Sequence, residues 1–166
     1  MSDLAFGCSH TFGVGVDTHQ AWPALLKLVN YGQVGVSADY IARILPNIAT
    51  QSTAKKIFIL WPDWTRFEYL EGHKILQSLA TDKNRIEFME DWPDERLRKN
   101  FNNQVQSVKN FCSQQNIKLI DMTLDDLIPY IDHADRWPVS KLGHHYSPVW
   151  HQWVADIFRQ RDNEQT

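Results

Sequence analysis

The sequence predicts an α/β fold in which a mainly parallel sheet is covered by helices on both faces. Apolar segments typical of buried strands alternate along the chain with longer segments of helical apolar spacing, and this alternation favours parallel strands. The chain has 166 residues, the length of one ordinary domain. Since no repeat, low-complexity segment or linker interrupts it, we predict a single domain over residues 1–166.

The first half of the chain contains two predicted strands and three predicted helices. Residues 4–8 form a short apolar segment that ends in a Gly- and Ser-rich turn, and residues 56–61 are continuously apolar before Pro62 and Asp63. Residues 21–29 have the apolar spacing of an amphipathic helix, with Pro23 tolerated in its first turn. Residues 37–45 have similar spacing behind a candidate Ser37 N-cap, and residues 66–80 also show a helical pattern.

The second half adds one strand and three helices. Residues 94–115 are polar with widely spaced apolar positions, as in a surface helix, and residues 117–122 form the next strand. A short helix is predicted over 123–131. Ser147 and Pro148 open the last helix, which extends to about residue 160. No element is assigned to residues 84–92.

Composition excludes several classes of function. The net charge of −3 and the pI near 6.1 provide no basic stripe for a phosphate backbone, so we expect no nucleic-acid partner. The first residues lack the pattern of a signal peptide, and no apolar run of about 18 residues follows. We therefore expect a cytoplasmic protein without a membrane partner. Cys8 and Cys112 are far apart and lack metal-ligand spacing, which favours reduced thiols.

Ser9 is the candidate nucleophile because it directly follows the first predicted strand. Ligands of parallel sheets bind beyond the carboxyl ends of the strands, where Ser9 would lie. Gly7 permits a tight turn, and the turn would present the serine hydroxyl for attack. The alternative is that Ser9 only caps a turn, a common role for serine beside glycine.

Two segments near the N-terminus resemble the first two sequence blocks of the SGNH (GDSL-type) hydrolases. Residues 7–13 (GCSHTFG), continued by 21–26 (AWPALL), are similar to the first block, and residues 30–37 (NYGQVGVS) are similar to the second. The resemblance implies a three-layer, flavodoxin-like fold with Ser9 as nucleophile. It also implies that the Gly35 amide contributes to the oxyanion hole. The G-x-S-x-G elbow of other α/β hydrolases is absent, because residue 11 is Thr.

The last block of the family is similar to residues 145–151 (HYSPVWH), which lead into the final helix. The resemblance implies that His145 is the general base, with His144 as its neighbour and His151 as a packing or surface residue. Without the resemblance, the histidine pair would be interpreted as part of a polar loop.

Two positions depart from the family pattern. The third block usually supplies an asparagine as an oxyanion donor, but Asp63 occupies roughly its place. Either Arg66 restores positive charge there, or Asp63 is a substrate-contacting or structural turn residue. The triad acid usually stands three residues before the histidine, and this position is Leu142. Asp135 is the candidate substitute, with Asp132 as the alternative; a solvated Asp135 would leave a Ser–His dyad.

The resemblance implies a serine esterase that uses an acyl-enzyme intermediate and needs no cofactor or metal. The family's range and the seven tryptophans suggest a small acyl ester, an acetyl group on a carbohydrate in particular, while the oligomeric state is not predicted. A non-catalytic binding or structural module with the same fold is the alternative. A zinc site built from His144, His145 and an aspartate is a further alternative, although adjacent histidines rarely bind one ion.

Overall fold

A four-stranded parallel sheet forms the centre of the computed structural model. The structure describes residues 2–71, 74–78, 94–130 and 146–164, with the backbone alone for 69–71, 74–78 and 128–130. The sheet has the order β2-β1-β3-β6, and a separate antiparallel pair contains β4 and β5. The strands are β1 (Leu4–Gly7), β2 (Val29–Asn30), β3 (Lys56–Leu60), β4 (Phe67–Glu71), β5 (Lys74–Ser78) and β6 (Lys118–Met122).

Helices cover both faces of this sheet. They are α1 (Ser9–Phe12), α2 (Trp22–Leu25), α3 (Ala38–Thr50), α4 (Asp94–Gln114) and α5 (Pro148–Glu164), with 3₁₀ turns at Thr18–Gln20 and Asp125–Tyr130. In the part of the chain that the structure describes, no helix is both long and apolar enough to cross a membrane.

The strands send alternate side chains into two separate cores. In β3, Ile57 and Ile59 pack on the side of α3 and α4, whereas Phe58 and Leu60 pack on the side of α2 and α5. Because successive residues of a strand face opposite sides of a sheet, both faces of a continuously apolar strand become buried. The predicted three-layer α/β architecture, with a mainly parallel sheet, is confirmed.

Several predicted elements agree closely with the structure. The strands predicted at 4–8, 56–61 and 117–122 correspond to β1, β3 and β6, and the helices predicted at 94–115 and 147–160 correspond to α4 and α5. Ser37 is the N-cap of α3, since its side chain accepts a hydrogen bond from the Tyr40 amide. The helix continues five residues beyond its predicted end, to Thr50.

The helix predicted over residues 66–80 is wrong. The structure forms the β4–β5 hairpin there, with Phe67 opposite Ser78 and Glu71 opposite Lys74. Phe67 and Tyr69 before Gly72 and Ile75 after it favour strands, although the segment also satisfies a helical spacing. Tertiary contacts add to this preference, because the Glu68 carboxylate accepts two hydrogen bonds from the Arg43 guanidinium, at 2.8 and 3.1 Å.

The helix predicted over residues 21–29 is too long. It ends after Leu25 in a Schellman motif, in which the Lys27 amide donates to the Ala24 carbonyl and the Leu28 amide to the Pro23 carbonyl. Lys27 has a positive φ of 59° at the position where glycine is usual, so the sequence carries no sign of this end. The short helix predicted over 123–131 is a 3₁₀ turn, Asp125–Tyr130.

An ion cluster joins the sheet to α5 at the amino-terminal edge of the strands. Lys56 and Lys118 are register partners on β3 and β6, and the Asp162 carboxylate binds both ammonium groups, at 2.6 and 2.8 Å. Although burial acts in the opposite direction, the hydrogen bonds from Lys118 and Lys56 hold the pKa of Asp162 below its usual value. One carboxylate thus removes the repulsion between two neighbouring lysines.

His151 connects α5 to α2 inside the core. Its side chain is buried, and its Nδ1 accepts a hydrogen bond from the Trp22 amide at 3.3 Å. Burial lowers the pKa of His151 from 6.5 to about 4. The imidazole is therefore neutral at physiological pH and belongs to the packing of the fold, one of the two roles expected for it.

The depressed pKa of His151 predicts a specific dependence of stability on pH. Between pH 6.5 and 4 the unfolded chain binds this proton more tightly than the folded chain, so the free energy of unfolding falls as the pH falls. The contribution of His151 is fully present above pH 6.5, and about 3 kcal/mol of it is lost by pH 4. Denaturant unfolding at several pH values, compared with His151→Asn, measures this loss. If the free energy of unfolding changed with pH by the same amount in both proteins, the assignment would be contradicted.

Candidate functional site

The end of β1 lies where the chain connections of the sheet diverge. β2 is on one side of β1 and β3 is on the other, while α2 and α3 pack on opposite faces. Open α/β sheets bind ligands beyond the carboxyl ends of the strands at such a switch point. Ser9 follows β1 there, and Asp63 follows β3, whose Leu60 is the register partner of Gly7. The candidate site is therefore the edge formed by these two strand ends.

Ser9 occupies a tightly fixed turn. It is the first residue of α1, directly after Cys8, and only 4% of its surface is exposed. The amides of Thr11 and Phe12 both donate to the Cys8 carbonyl, at 3.0 and 2.9 Å, and the Gly13 amide closes the turn on the Ser9 carbonyl. The hydroxyl is thus carried by backbone with little freedom to move.

Gly7 allows this turn to pack against the neighbouring strand. A Cβ atom at Gly7 would lie 2.0 Å from Thr11 Oγ1 and 2.6 Å from the Leu60 carbonyl oxygen. No side chain fits at these distances, and the carbonyl belongs to backbone that cannot move independently of β3. The glycine is required here for close approach as well as for its backbone angles.

The loop that carries Gly35 runs beside the Ser9 turn. The Gln33 amide donates to the Gly7 carbonyl at 3.0 Å, which places the loop against the end of β1. The Tyr31 ring stacks on Phe6 of β1, with ring centroids 5.4 Å apart. Gly35 has a φ of 79°, a conformation that glycine adopts at little cost. Ser9 and Gly35 therefore lie on two adjoining segments at the same strand ends.

An aromatic cluster joins the Ser9 turn to the start of α5. His10, the residue after Ser9, lies 4.9 Å from Tyr146 and 5.6 Å from Trp150 between ring centroids, and Tyr146 stacks on Trp150 at 4.3 Å. Burial raises the pKa of the Tyr146 phenol. Tyr146 follows the predicted base, His145, in the sequence, and His10 follows the predicted nucleophile, Ser9. The cluster therefore brings together the residues that come directly after the predicted base and the predicted nucleophile.

The predicted base and acid belong to a segment outside the described part of the chain. His145 and Asp135 lie outside the described residues, as do the alternative acid Asp132 and the residues at 142 and 144. Their roles stay predictions from the sequence.

Asp63 is part of a turn at the end of β3. Its Oδ1 accepts hydrogen bonds from the Thr65 amide, at 2.8 Å, and from the Thr65 hydroxyl, while its carbonyl accepts from the Arg66 amide at 3.1 Å. A side-chain acceptor two residues before its donor is typical of Asx turns. One carboxylate oxygen is therefore engaged within the turn itself.

Arg66 places a positive charge beside this turn. Its Nε and Nη1 atoms are buried and have no hydrogen-bond partner among the described residues. Nearby, the guanidinium of Arg98 lies 3.9 Å from the centroid of the Trp64 ring, which fixes the turn to the first part of α4. Pro62, Asp63 and Trp64 line a cavity with Phe101, Thr123, Leu124 and Asp125.

The described segments contain no group of three or more His, Cys, Asp or Glu side chains that could hold a metal ion. The alternative zinc site predicted around His144 and His145 falls outside those segments.

Sequence reasoning missed the residues that hold the site together. The hydrogen bonds from Asn30 to α1 and the contact of His10 with Tyr146 span 18 to 136 positions, so no local pattern predicts these contacts. A signal for Asn30 exists in retrospect, because Asn followed by Gly two residues later at the end of a strand is typical of an Asx turn.

No family model matches the sequence, and a search of curated proteins gives no significant match. Solved structures do match over nearly the whole chain.

The crystal structure of TesA aligns with a TM-score of 0.61 and 12% identity, covering 97% of each chain. A psychrotrophic esterase EstA from Pseudoalteromonas sp., in a structure inhibited by monoethylphosphonate, aligns with a TM-score of 0.51 and 12% identity, covering 98% of each chain. LAE5, an alpha/beta hydrolase enzyme from the metagenome of Lake Arreo, Spain, aligns with a TM-score of 0.50 and 14% identity, covering 97% of this chain and 96% of LAE5. The chain therefore has, along nearly its whole length, the α/β fold that its resemblance to the SGNH hydrolases implies.

Proposed function

We propose that this protein is a serine esterase of the SGNH type, with Ser9 as nucleophile and His145 as general base. The contact between His10 and Tyr146 carries the proposal. Their ring centroids lie 4.9 Å apart, and these two residues directly follow Ser9 and His145 in the sequence. The position of Ser9 at the switch point of the sheet is the second support. The esterase and hydrolase among the similar structures support the same class of reaction.

In this mechanism the Ser9 oxygen attacks the ester carbonyl carbon while His145 takes the hydroxyl proton. The resulting oxyanion is held by the amides of Ser9 and Gly35. When the intermediate collapses, the bond to the alcohol breaks, and the imidazolium of His145 gives its proton to the leaving oxygen. Water then attacks the acyl-enzyme with the same base and releases the acid.

For the substrate we propose a small acyl ester, with an acetyl group on a carbohydrate as the first to test. This proposal comes from the range of substrates of the SGNH family, because three of the seven tryptophans, Trp22, Trp61 and Trp150, are fully buried in the core and cannot stack on a sugar. The substrate class is a separate proposal from the reaction type, and a panel of esters with different acyl and alcohol parts tests it.

Replacing the nucleophile should abolish the reaction without unfolding the protein. Ser9→Ala is expected to lower the hydrolysis of short p-nitrophenyl esters to the uncatalysed background, since it removes one oxygen atom from a fixed turn. A fluorophosphonate should label wild-type Ser9 stoichiometrically, as shown by intact mass and peptide mapping, and chelators should not reduce turnover. Equal turnover in both proteins would refute the assignment. An unlabelled Ser9 together with tight glycan binding would favour a non-catalytic module.

Asp63→Asn should raise the turnover number. The Asn oxygen can still accept from the Thr65 amide, so the turn is kept, while the amide group replaces a carboxylate near developing negative charge. The expected gain is on the order of 1–3 kcal/mol of transition-state stabilisation. Asp63→Ala is the control, because it removes the turn acceptor as well. A decrease with Asn would mean that the carboxylate itself positions substrate or holds the turn.

The acid that orients His145 is proposed to be Asp135. A carboxylate on the second ring nitrogen fixes the tautomer and stabilises the imidazolium. Asp135→Asn is therefore expected to lower the turnover number by about tenfold or more while KM stays nearly unchanged. If Asp135→Asn and Asp132→Asn both keep wild-type turnover and His145→Ala abolishes it, the enzyme uses a Ser–His dyad. A silent His145→Ala would remove this loop from the mechanism.

A further inference from the structure

We propose that Asn30 is a positioning residue that fixes the Gly35 loop relative to the Ser9 turn. The inference rests on the proposed esterase function, since it concerns the alignment of the two backbone amides assigned to the oxyanion. The Asn30 side chain forms hydrogen bonds with the backbone of Thr11 and of Gly32. It therefore acts on Ser9 and Gly35 through the backbone of the segments that carry them.

The Asn30 side chain forms hydrogen bonds in two directions. Its Nδ2 donates to the Thr11 carbonyl at 2.9 Å, with a longer contact of 3.5 Å to the Phe12 carbonyl. Its Oδ1 accepts from the Gly32 amide at 2.8 Å. Thr11 and Phe12 belong to the same single helical turn as Ser9, and Gly32 begins the loop that leads to Gly35. One amide group therefore links the two segments.

Packing at Gly32 shows how closely the two segments approach. A Cβ atom at Gly32 would lie 2.5 Å from the Phe12 nitrogen and 2.7 Å from the Thr11 carbonyl carbon. Both of these atoms are backbone, so no rotation of a side chain could make room. The loop therefore lies directly on the backbone of α1, and the hydrogen bonds of Asn30 fix its position along that contact.

The residue after Gly32, Gln33, has a separate attachment. The Gln33 amide donates to the Gly7 carbonyl, and the Tyr40 hydroxyl of α3 donates to Gln33 Oε1. These bonds fix the loop to β1 and α3. Asn30 supplies the link to α1, the element that carries the nucleophile.

Only a side chain with both a donor and an acceptor of this length can make the link. A carboxylate at residue 30 would keep the acceptor for Gly32 but would face the Thr11 carbonyl with a second acceptor. Serine can accept from an amide two residues ahead, as Asn does in an Asx turn, but it is too short to reach α1 as well. The two functions of Asn30 can therefore be separated by substitution.

The chemical consequence is a defined distance between the amides of Ser9 and Gly35, the two donors that we assign to the oxyanion. Donors for an oxyanion must be held within fractions of an ångström before reaction, and small misplacements reduce the rate severely. Substrate binding by the rest of the site is expected to be unaffected. The loss should therefore appear in the turnover number and not in KM.

The test compares Asn30→Ala and Asn30→Ser with wild type. We expect each to lower the turnover number and the rate constant of fluorophosphonate labelling at Ser9 by about tenfold, with KM changed less than about twofold. Labelling is informative without the natural substrate, because a phosphonyl oxygen takes the position of the oxyanion. Asn30→Ser keeps the local turn, so an equal loss in both variants identifies the link to α1 as the cause.

Asn110→Ala is the matched control. Its side chain also accepts one hydrogen bond, from Gln106 at 2.9 Å, and it is exposed like Asn30, but this bond lies within a single helix, α4. Turnover should be unchanged. Rates are expressed per fluorophosphonate-titrated site, so that a folding defect alone does not appear as a lower turnover number.

Three results would overturn the inference while leaving the esterase assignment intact: wild-type rates per site in both Asn30 variants, a change in KM alone, or a loss in Asn30→Ala that Asn30→Ser fully restores. If wild-type protein neither hydrolyses esters nor reacts at Ser9, the proposed function fails, and the role of Asn30 fails with it.

Discussion

The close contact between the end of β1 and the end of β3 is the constraint on which the candidate site depends. Thr11 and the Leu60 carbonyl fill the space where a side chain at Gly7 would lie. The chain can therefore turn sharply after β1 and place Ser9 at the edge of the sheet. Because the same Gly7 supplies a carbonyl to the Gln33 amide, one residue without a side chain positions both segments assigned to the oxyanion.

The aromatic cluster extends this arrangement to the last helix. α5 is held in the core by Trp150, Val154 and Phe158, which pack against the strands together with Trp22. Its first turn then brings Tyr146 against His10. The packing of a helix some 140 residues away in sequence thus brings Tyr146 to the residue that follows Ser9.

Local patterns predicted much of this fold because the core is alternating and apolar. β3 buries four successive side chains in two cores, and a segment of that kind permits few other interpretations. The end of α2 and the β4–β5 hairpin were predicted incorrectly for physical reasons. Lys27 adopts a left-handed conformation without being glycine, and the hairpin is favoured by contacts of Glu68 with α3 that are distant in sequence.

The site was predictable where short motifs carry it and not where long-range contacts do. Sequence motifs single out Ser9, Gly35 and Asp63, and in the structure all three lie in the segments that follow strands of one sheet. The hydrogen bond from Asn30 to Thr11 spans 19 positions and depends on β2 pairing with β1. Such a contact depends on the topology of the fold, so no periodic pattern in the sequence predicts it.

Asp162 gives the fold a second consequence, through its position at the opposite edge of the sheet. Its two lysine partners lie on β3 and β6 at the amino-terminal ends of those strands, far from the loops that follow Gly7 and Leu60. This ion cluster, one of several attachments of α5 to the sheet, and the chemistry proposed for the molecule thus occupy opposite ends of the same strands. A substitution in the loops after Gly7 or Leu60 changes none of the cluster's own contacts, so the end of α5 that carries Asp162 stays bound to β3 and β6 when those loops change.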